Sequence, residues 1–291
     1  MSVRGLGPDA GPKAGPDAKA GGDISIREVT KIYDPDGIHV VAVERCSLEI
    51  AAGEFLVVVG PSGCGKTSLL NVLAGFEDLT DGEILLDGKP IAAPGRPVEP
   101  GSDRIVVFQN GALFPWKTVL ENIVYGPMVQ RRRELGRARQ AARNLLAQVG
   151  LEGIEGSYPA ELSSGVQRRV EILRALINEP RVMLLDEPFR GLDAVAKSVM
   201  HQFLLDLFER TRLTMFFITH DLDEAIFLGD RVVVMTTRPC CPKLVLQVNL
   251  PRPRDHRALG DTRFLELKRA ALEAVHEEAL KAFRAGEREL A

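Results

Sequence analysis

The chain has 291 residues, 45% of them hydrophobic and 26% charged, with a formal net charge of -3. That balance describes a globular chain with a substantial core and excludes wholesale nucleic-acid binding, which needs a strong basic excess. No apolar run approaches the roughly 18 residues of a membrane span, so any role at a membrane works through a partner.

In chain order, residues 1–22 are rich in Gly, Pro, Ala and Asp and lack the apolar stretch of a secretion signal, which predicts a disordered tail. "ISIREVTKIY" and "VVAVERCSLEI" alternate in polarity and are joined by "DPDG", the pattern of a hairpin in a small antiparallel sheet. "FLVVVG", "VMLLDE" and "TMFFITH" are instead continuous apolar runs, as strands covered on both faces must be. With "EILLDG", "RIVVFQ", "RVVVMTT" and "LVLQVNL" they predict an α/β core around a mostly parallel sheet. Residues from about 110 to 180 carry helical patterns and form an insertion between two core strands. Within it the basic stretch "QRRRELGRARQAAR", residues 130–143, suits either a solvated helix face or contact with lipid headgroups or a membrane partner. After "PRPRD", residues 251–291 turn helical again. Leu265, Leu272, Val275, Ala279 and Phe283 share one face, which is expected to pack on the domain.

The cysteines, Cys46, Cys64, Cys240 and Cys241, have neither the spacing of a disulfide framework nor that of a metal site, which suits a reducing compartment. Cys240 and Cys241, just before Pro242, read as a turn between strands.

"VVVGPSGCGKTSLL" carries the phosphate-loop pattern G-x-x-x-x-G-K-[ST] at Gly60, Gly65, Lys66 and Thr67, after an apolar strand and before a helical pattern. The loop residues Gly60, Pro61, Ser62, Gly63, Cys64 and Gly65, with Ser68, can close around phosphates through their backbone N–H groups, of which Pro61 alone has none. Lys66 adds a point charge and Thr67 a hydroxyl for Mg²⁺. Cys64 lies among N–H dipoles that favour a thiolate and is expected to be a spectator. In "RVMLLDEP", Asp186 can hold the magnesium shell and Glu187 can polarise an attacking water. His220, ending "FFITH", can touch the γ-phosphate or orient Glu187.

In order, "GPSGCGKTS", "VFQNGALFPW", "LSSGVQRR", "VMLLDEP", "GLDA" and "ITHD" closely resemble the ATP-binding cassette of ABC transporters, over about residues 23–250. The resemblance implies a P-loop NTPase fold: a RecA-like core, an antiparallel β subdomain and an inserted helical subdomain. It implies ATP and Mg²⁺ as ligands, with Thr67, Gln109 and Asp186 at the metal and Glu187, His220 and Gln109 at the chemistry. Tyr33 matches the aromatic that stacks on adenine, and Asp193 the aspartate that crosses the dimer interface. Ser163 and Gly165 match the signature helix that covers the ATP of a second copy. Implied partners are a second ATP-binding subunit, most simply in a homodimer, membrane permease subunits and, indirectly, an extracytoplasmic solute-binding protein. The implied location is the cytoplasmic face of the inner membrane, with no nucleic acid involved. "VFQNGALFPWKTVLENI" and "RVVVMTTRP" resemble the branch that imports nitrate, taurine, alkanesulfonates, bicarbonate or pyrimidine precursors.

The signature departs from the family's L-S-G-G-[QM]. Here it reads Leu162, Ser163, Ser164, Gly165 and Val166. The Ser163 hydroxyl and the positive helix end survive, and a helix end contributes roughly 0.3–1 kcal/mol toward a nearby anion whatever residue 166 is. Ser164 would add strain if its position needed positive φ, and Val166 removes a polar side chain. Measurable hydrolysis is expected. The alternative is a regulatory or partner cassette that binds ATP but hydrolyses it weakly.

Overall fold

The computed structural model describes residues 21–34, 37–96, 99–130, 134–284 and 286. Among them the strands are β1 (Ile24–Tyr33), β2 (Val40–Ile50), β3 (Phe55–Val59), β4 (Asp81–Leu86), β5 (Lys89–Ala92), β6 (Arg104–Val107), β7 (Val182–Asp186), β8 (Thr214–Ile218), β9 (Arg231–Met235) and β10 (Pro242–Gln247). The helices are α1 (Lys66–Ala74), α2 (Val119–Val129), α3 (Leu135–Gln148), α4 (Ser164–Leu176), α5 (Ala194–Thr211), α6 (Leu222–Leu228) and α7 (Thr262–Arg284).

The continuous apolar runs build a six-stranded sheet in the order β10-β9-β3-β8-β7-β6, parallel except for β10 at its edge. Two-sided burial explains why these strands do not alternate. In β3, Phe55, Val57 and Val59 join a core with Phe208, Phe217 and Phe264 on one face. Leu56 and Val58 join a second core on the other face, with Leu69 and Leu73 of α1 and Ile26 and Val29 of β1.

The alternating strands form a separate antiparallel sheet, β2-β1-β4-β5, with Tyr33 paired to Val40 across the expected hairpin. Residues 35 and 36 of that turn lie outside the described residues. Four-residue β5 was not foreseen, because "KPIA" contains a proline and is too short to show a pattern. Helices α2, α3 and α4 lie between β6 and β7 and share a core of Val119, Ile123, Ala142, Leu146, Val170 and Leu173.

Of the expected tail, residues 1–20 lie outside the described residues. Gly21 and Gly22 are built into the fold, their N–H groups donating to Arg212 O and Arg181 O at 3.2 Å each. The turn at Cys240 and Cys241 joins β9 to β10 as expected.

The expected packing face of α7 is corrected. The helix buries Phe264, Leu267, Ala271, Ala274 and Glu278; of the expected stripe Val275 packs against the core, while Leu265, Leu272 and Phe283 point to solvent, Phe283 at 81% exposure. Small alanines let the helix lie close against α6, β9 and β10, and close approach outweighs the larger side chains on the neighbouring face. No helix among the described residues is long and apolar enough to cross a membrane.

Candidate active site

Strand β3 delivers the loop 60–65 to the N-terminus of α1. Gly65 occupies the N-cap position with φ of 120° and offers no side-chain cap. Thr118, Ser163, Asp193 and Asp221 do cap α2, α4, α5 and α6. The first N–H groups of α1 therefore lack a side-chain acceptor, and the helix end is open to an anion. Only glycine fits there: besides the left-handed φ, a Cβ would lie 2.3 Å from Ala42 O.

Lys66, 6% exposed, folds back on the loop and donates Nζ to Gly60 O and Pro61 O, both at 2.8 Å. Its charge is thus held where phosphates would meet the open helix end. On the outer side of α1, the Tyr33 hydroxyl reaches Ser68 Oγ at 3.1 Å and also bonds Glu77, while Lys31 Nζ sits 4.8 Å above the ring.

Asp186 ends β7, and Thr67 Oγ1 donates to its Oδ2 at 3.0 Å. Burial raises the Asp186 pKa; the Thr67 hydrogen bond opposes this, and the neighbouring Glu187 charge adds to it. A buried carboxylate beside a hydroxyl is the donor set of a hard cation such as Mg²⁺.

Glu187 follows in a left-handed conformation, φ 42°, fixed by its N–H donating to Ile218 O at 2.9 Å. Strain of this kind in a non-glycine residue collects at functional sites. Its Oε2 accepts from Gln109 Nε2 at 3.2 Å and lies 3.2 Å from His220 Nδ1. Three separate strand ends, those of β6, β7 and β8, thus bring Gln109, Glu187 and His220 together. Arg190 Nη1 lies 3.8 Å from the same oxygen.

No motif assigns a role to the residues that hold Gln109. Arg168 of α4 donates to Phe108 O at 2.7 Å, to Gln109 O at 2.8 Å and to Glu171 Oε2 at 2.6 Å. Glu171 Oε1 in turn accepts from Ala112 N–H at 2.7 Å. This buried pair fastens the loop after β6 to α4. Its one trace in the sequence is the Arg-x-x-Glu spacing, which puts both side chains on one helix face.

Within one chain, the signature residues do not join this cluster. Among the described residues, no hydrogen bond links Ser163 or Gly165 to the P-loop, Asp186 or Glu187. Ser163 is exposed and accepts from Val166 N–H at 3.4 Å. Ser164 lies in the first turn of α4, and its φ is not positive, so the strain considered for it is absent. Val166 is half-buried against the α2–α4 core. Asp193 caps α5, accepting from Val195 N–H and Ala196 N–H at 3.0 Å each.

Comparison with known proteins agrees with this geometry. A family model described as ABC transporter matches residues 43–190, just over half of the chain. The chain belongs to the ABC transporter family. The cassette is 41% identical to an uncharacterised ABC transporter ATP-binding protein of Methanocaldococcus jannaschii, covering 90% of this chain and 94% of that one. It is 43% identical to a nitrate import ATP-binding protein of Synechococcus elongatus, covering 81% and 85%. Identity to a bicarbonate transport ATP-binding protein of Synechocystis is 40%, covering 89% and 91%. A solved dimeric cassette in a post-hydrolysis state with ADP and phosphate superposes with a TM-score of 0.67 at 28% identity, covering 78% of this chain and all of that one. The fold is that of a P-loop NTPase, and the chain is an ATP-hydrolysing subunit of an ABC transporter.

Proposed function

We propose that the cassette binds MgATP at the 60–68 loop and works as a homodimer that drives import of a small oxyanion, such as nitrate, bicarbonate or a sulfonate, through separate permease subunits. The nitrate and bicarbonate relatives support the substrate class, with an extracytoplasmic solute-binding protein supplying the solute. Trp116, at 71% exposure, and the stacked pair Phe76 and Phe108 flank the Gln109 loop and suit a permease contact at the cytoplasmic face.

The observation that carries the hydrolytic reading is the convergence of Gln109 and His220 on Glu187 Oε2, at 3.2 Å each. Glu187 accepts a proton from the attacking water while Gln109 and His220 orient it. Loop N–H groups and Lys66 hold the phosphates, and Tyr33 supports the adenine. Thr67, Asp186 and Gln109 would hold Mg²⁺, which neutralises phosphate charge when bound. Ser163 and Gly165 from the second copy close over the γ-phosphate beside Asp193, giving two composite sites per dimer. Steady-state ATPase of the complex with its permeases tests this. Glu187→Gln is expected to lose about 10²- to 10⁴-fold in rate; equal rates would remove the reading.

A weak-hydrolysis reading draws on Val166, where the family places a polar side chain. For Ser164 only the strain argument falls away, because its backbone is helical; its β-carbon still lies where a second copy would approach closely. The double change Ser164→Gly with Val166→Gln separates the two: a gain of about tenfold or more in ATPase favours the weak cassette, and less than that disfavours it.

A further inference from the structure

All four cysteines are free thiols, and two of them meet beneath the P-loop. Cys64, 1% exposed, and Cys240, fully buried, pack in one core cluster, and each thiol is the strongest influence on the other. The Cys240 side of the contact is held firmly. Cys240 N–H donates to Ala42 O at 2.9 Å, and Glu44 N–H donates to Cys240 O at 3.4 Å, so the thiol sits on a rigid floor. Arg238, in the same turn, donates to Gly63 O at 2.9 Å, and Glu278 of α7 accepts from Thr237 N–H at 2.9 Å. The turn is tight against the loop: a Cβ at Gly65 would come within 2.8 Å of Cys240 Cβ.

The two sulfurs are chemically unequal. Cys64 is brought down to about 6 by the Cys240 thiol first and by Lys66, whose Nζ is 3.7 Å from Sγ, against the opposing effect of burial. Cys240 is pushed well above the usual thiol range by the Cys64 thiol and by burial. One nucleophile and one protonated partner is the arrangement of a reactive and a resolving cysteine. The remaining thiols differ, since burial holds Cys46 up at about 12 and Cys241 faces Thr236 Oγ1 at 3.4 Å.

We propose that Cys64 and Cys240 form an oxidation site for hydrogen peroxide, whose disulfide product disables the P-loop. The Cys64 thiolate attacks one peroxide oxygen, the O–O bond breaks, and hydroxide leaves and takes a proton to become water, with sulfenic acid left on Cys64. The Cys240 sulfur then attacks the Cys64 sulfur. The S–O bond breaks, the departing hydroxide takes the Cys240 proton, and the disulfide closes with a second water. Two thiols are oxidised and one peroxide is reduced.

The bond requires the sulfurs to approach to about 2.05 Å. Since Cys240 is pinned by β2, the movement falls on the loop 60–65, whose N–H groups and Lys66 are set for phosphate. A displacement of about 1 Å in such a site costs on the order of 10²-fold. This consequence rests on the nucleotide reading of the loop.

The test treats the reduced full-length chain with hydrogen peroxide, follows intact mass and peptide maps, and measures binding of a fluorescent ATP analogue before oxidation, after it and after dithiothreitol. The expected result is loss of two hydrogens, a Cys64–Cys240 cross-linked peptide, and an affinity loss on the order of 10²-fold that dithiothreitol reverses. Cys240→Ala is expected to bind the analogue normally when reduced, and to gain oxygen on Cys64 without a cross-link. A cross-link to Cys46 or Cys241, stable oxygen addition at Cys64 of the unsubstituted chain, or a Cys64–Cys240 disulfide with undiminished affinity would each overturn the proposal. If the reduced chain binds no analogue, the nucleotide reading fails, and the cross-link alone decides the thiol pair.

Discussion

The N-terminus of α1 follows Gly65 and has no side-chain cap, whereas that of α4 is capped by the Ser163 hydroxyl. Around α1 the chain completes its own surroundings: Lys66 lies on Gly60 O and Pro61 O, Thr67 on Asp186, and Ser68 on Tyr33. Around α4 the end itself is exposed, and the fastening is all behind it. Gln167 Nε2 donates to Pro159 O at 2.8 Å and Leu162 O at 3.0 Å, and Arg168 reaches the Gln109 loop. A helix end prepared for phosphate can thus be wired into its own site, or held rigid and presented outward. The first suits a ligand the chain binds itself, the second a ligand brought by another copy.

Three measurements sharpen that contrast, beginning with the largest. Arg168→Met leaves Glu171 buried and the carbonyls of Phe108 and Gln109 without their donor. A cost of about 3–5 kcal/mol in urea unfolding is expected, with ATPase falling as Gln109 loosens. A loss under 1 kcal/mol would mean that α4 is not anchored through this residue.

Next is the floor of the P-loop. Burial disfavours the Glu278 charge, but Lys243, Lys281 and Thr237 N–H outweigh it and hold the carboxyl down at about 2. A folded pKa below the unfolded one stabilises fully above the ordinary value of 4.5, and the stabilisation is lost as pH falls from there toward 2. About 3 kcal/mol is involved. Unfolding profiles of the cassette and of Glu278→Gln are expected to differ at neutral pH and converge toward pH 2; a gap independent of pH would refute the ionic clamp.

The smallest effect is at the cap. Ser163→Ala is expected to cost about 1 kcal/mol in thermal stability and to lower ATPase of the assembled complex while leaving ATP binding by the single chain intact. Equal loss of binding would place Ser163 in its own chain's site and break the contrast.

Legibility followed locality. The P-loop, Asp186 and Glu187 are contiguous motifs on strand ends, and the covered strands betray themselves by apolar runs, so the fold class and most of the site could be read directly. The packed face of α7 was misread because Leu272 and Phe283 outweigh Ala271 and Ala274 in any count of apolar residues, although close packing prefers the alanines. Arg190 beside Glu187 and the Arg168–Glu171 clamp went unassigned, since an arginine in a sequence gives no sign of which carbonyl it will meet.

By itself the sequence determined that this chain closes a glycine loop onto a helix end and carries an aspartate and a glutamate side by side at the end of an apolar strand, because those features live in a few adjacent residues. Only the tertiary structure decided that Gln109 and His220 share one oxygen of Glu187, that Ser163 caps its own helix without a hydrogen bond to its own P-loop, and that Cys64 packs in one core with Cys240. Those contacts join positions far apart in the chain, and the pairing of strands and helices, which no short stretch encodes, is what brings them within reach.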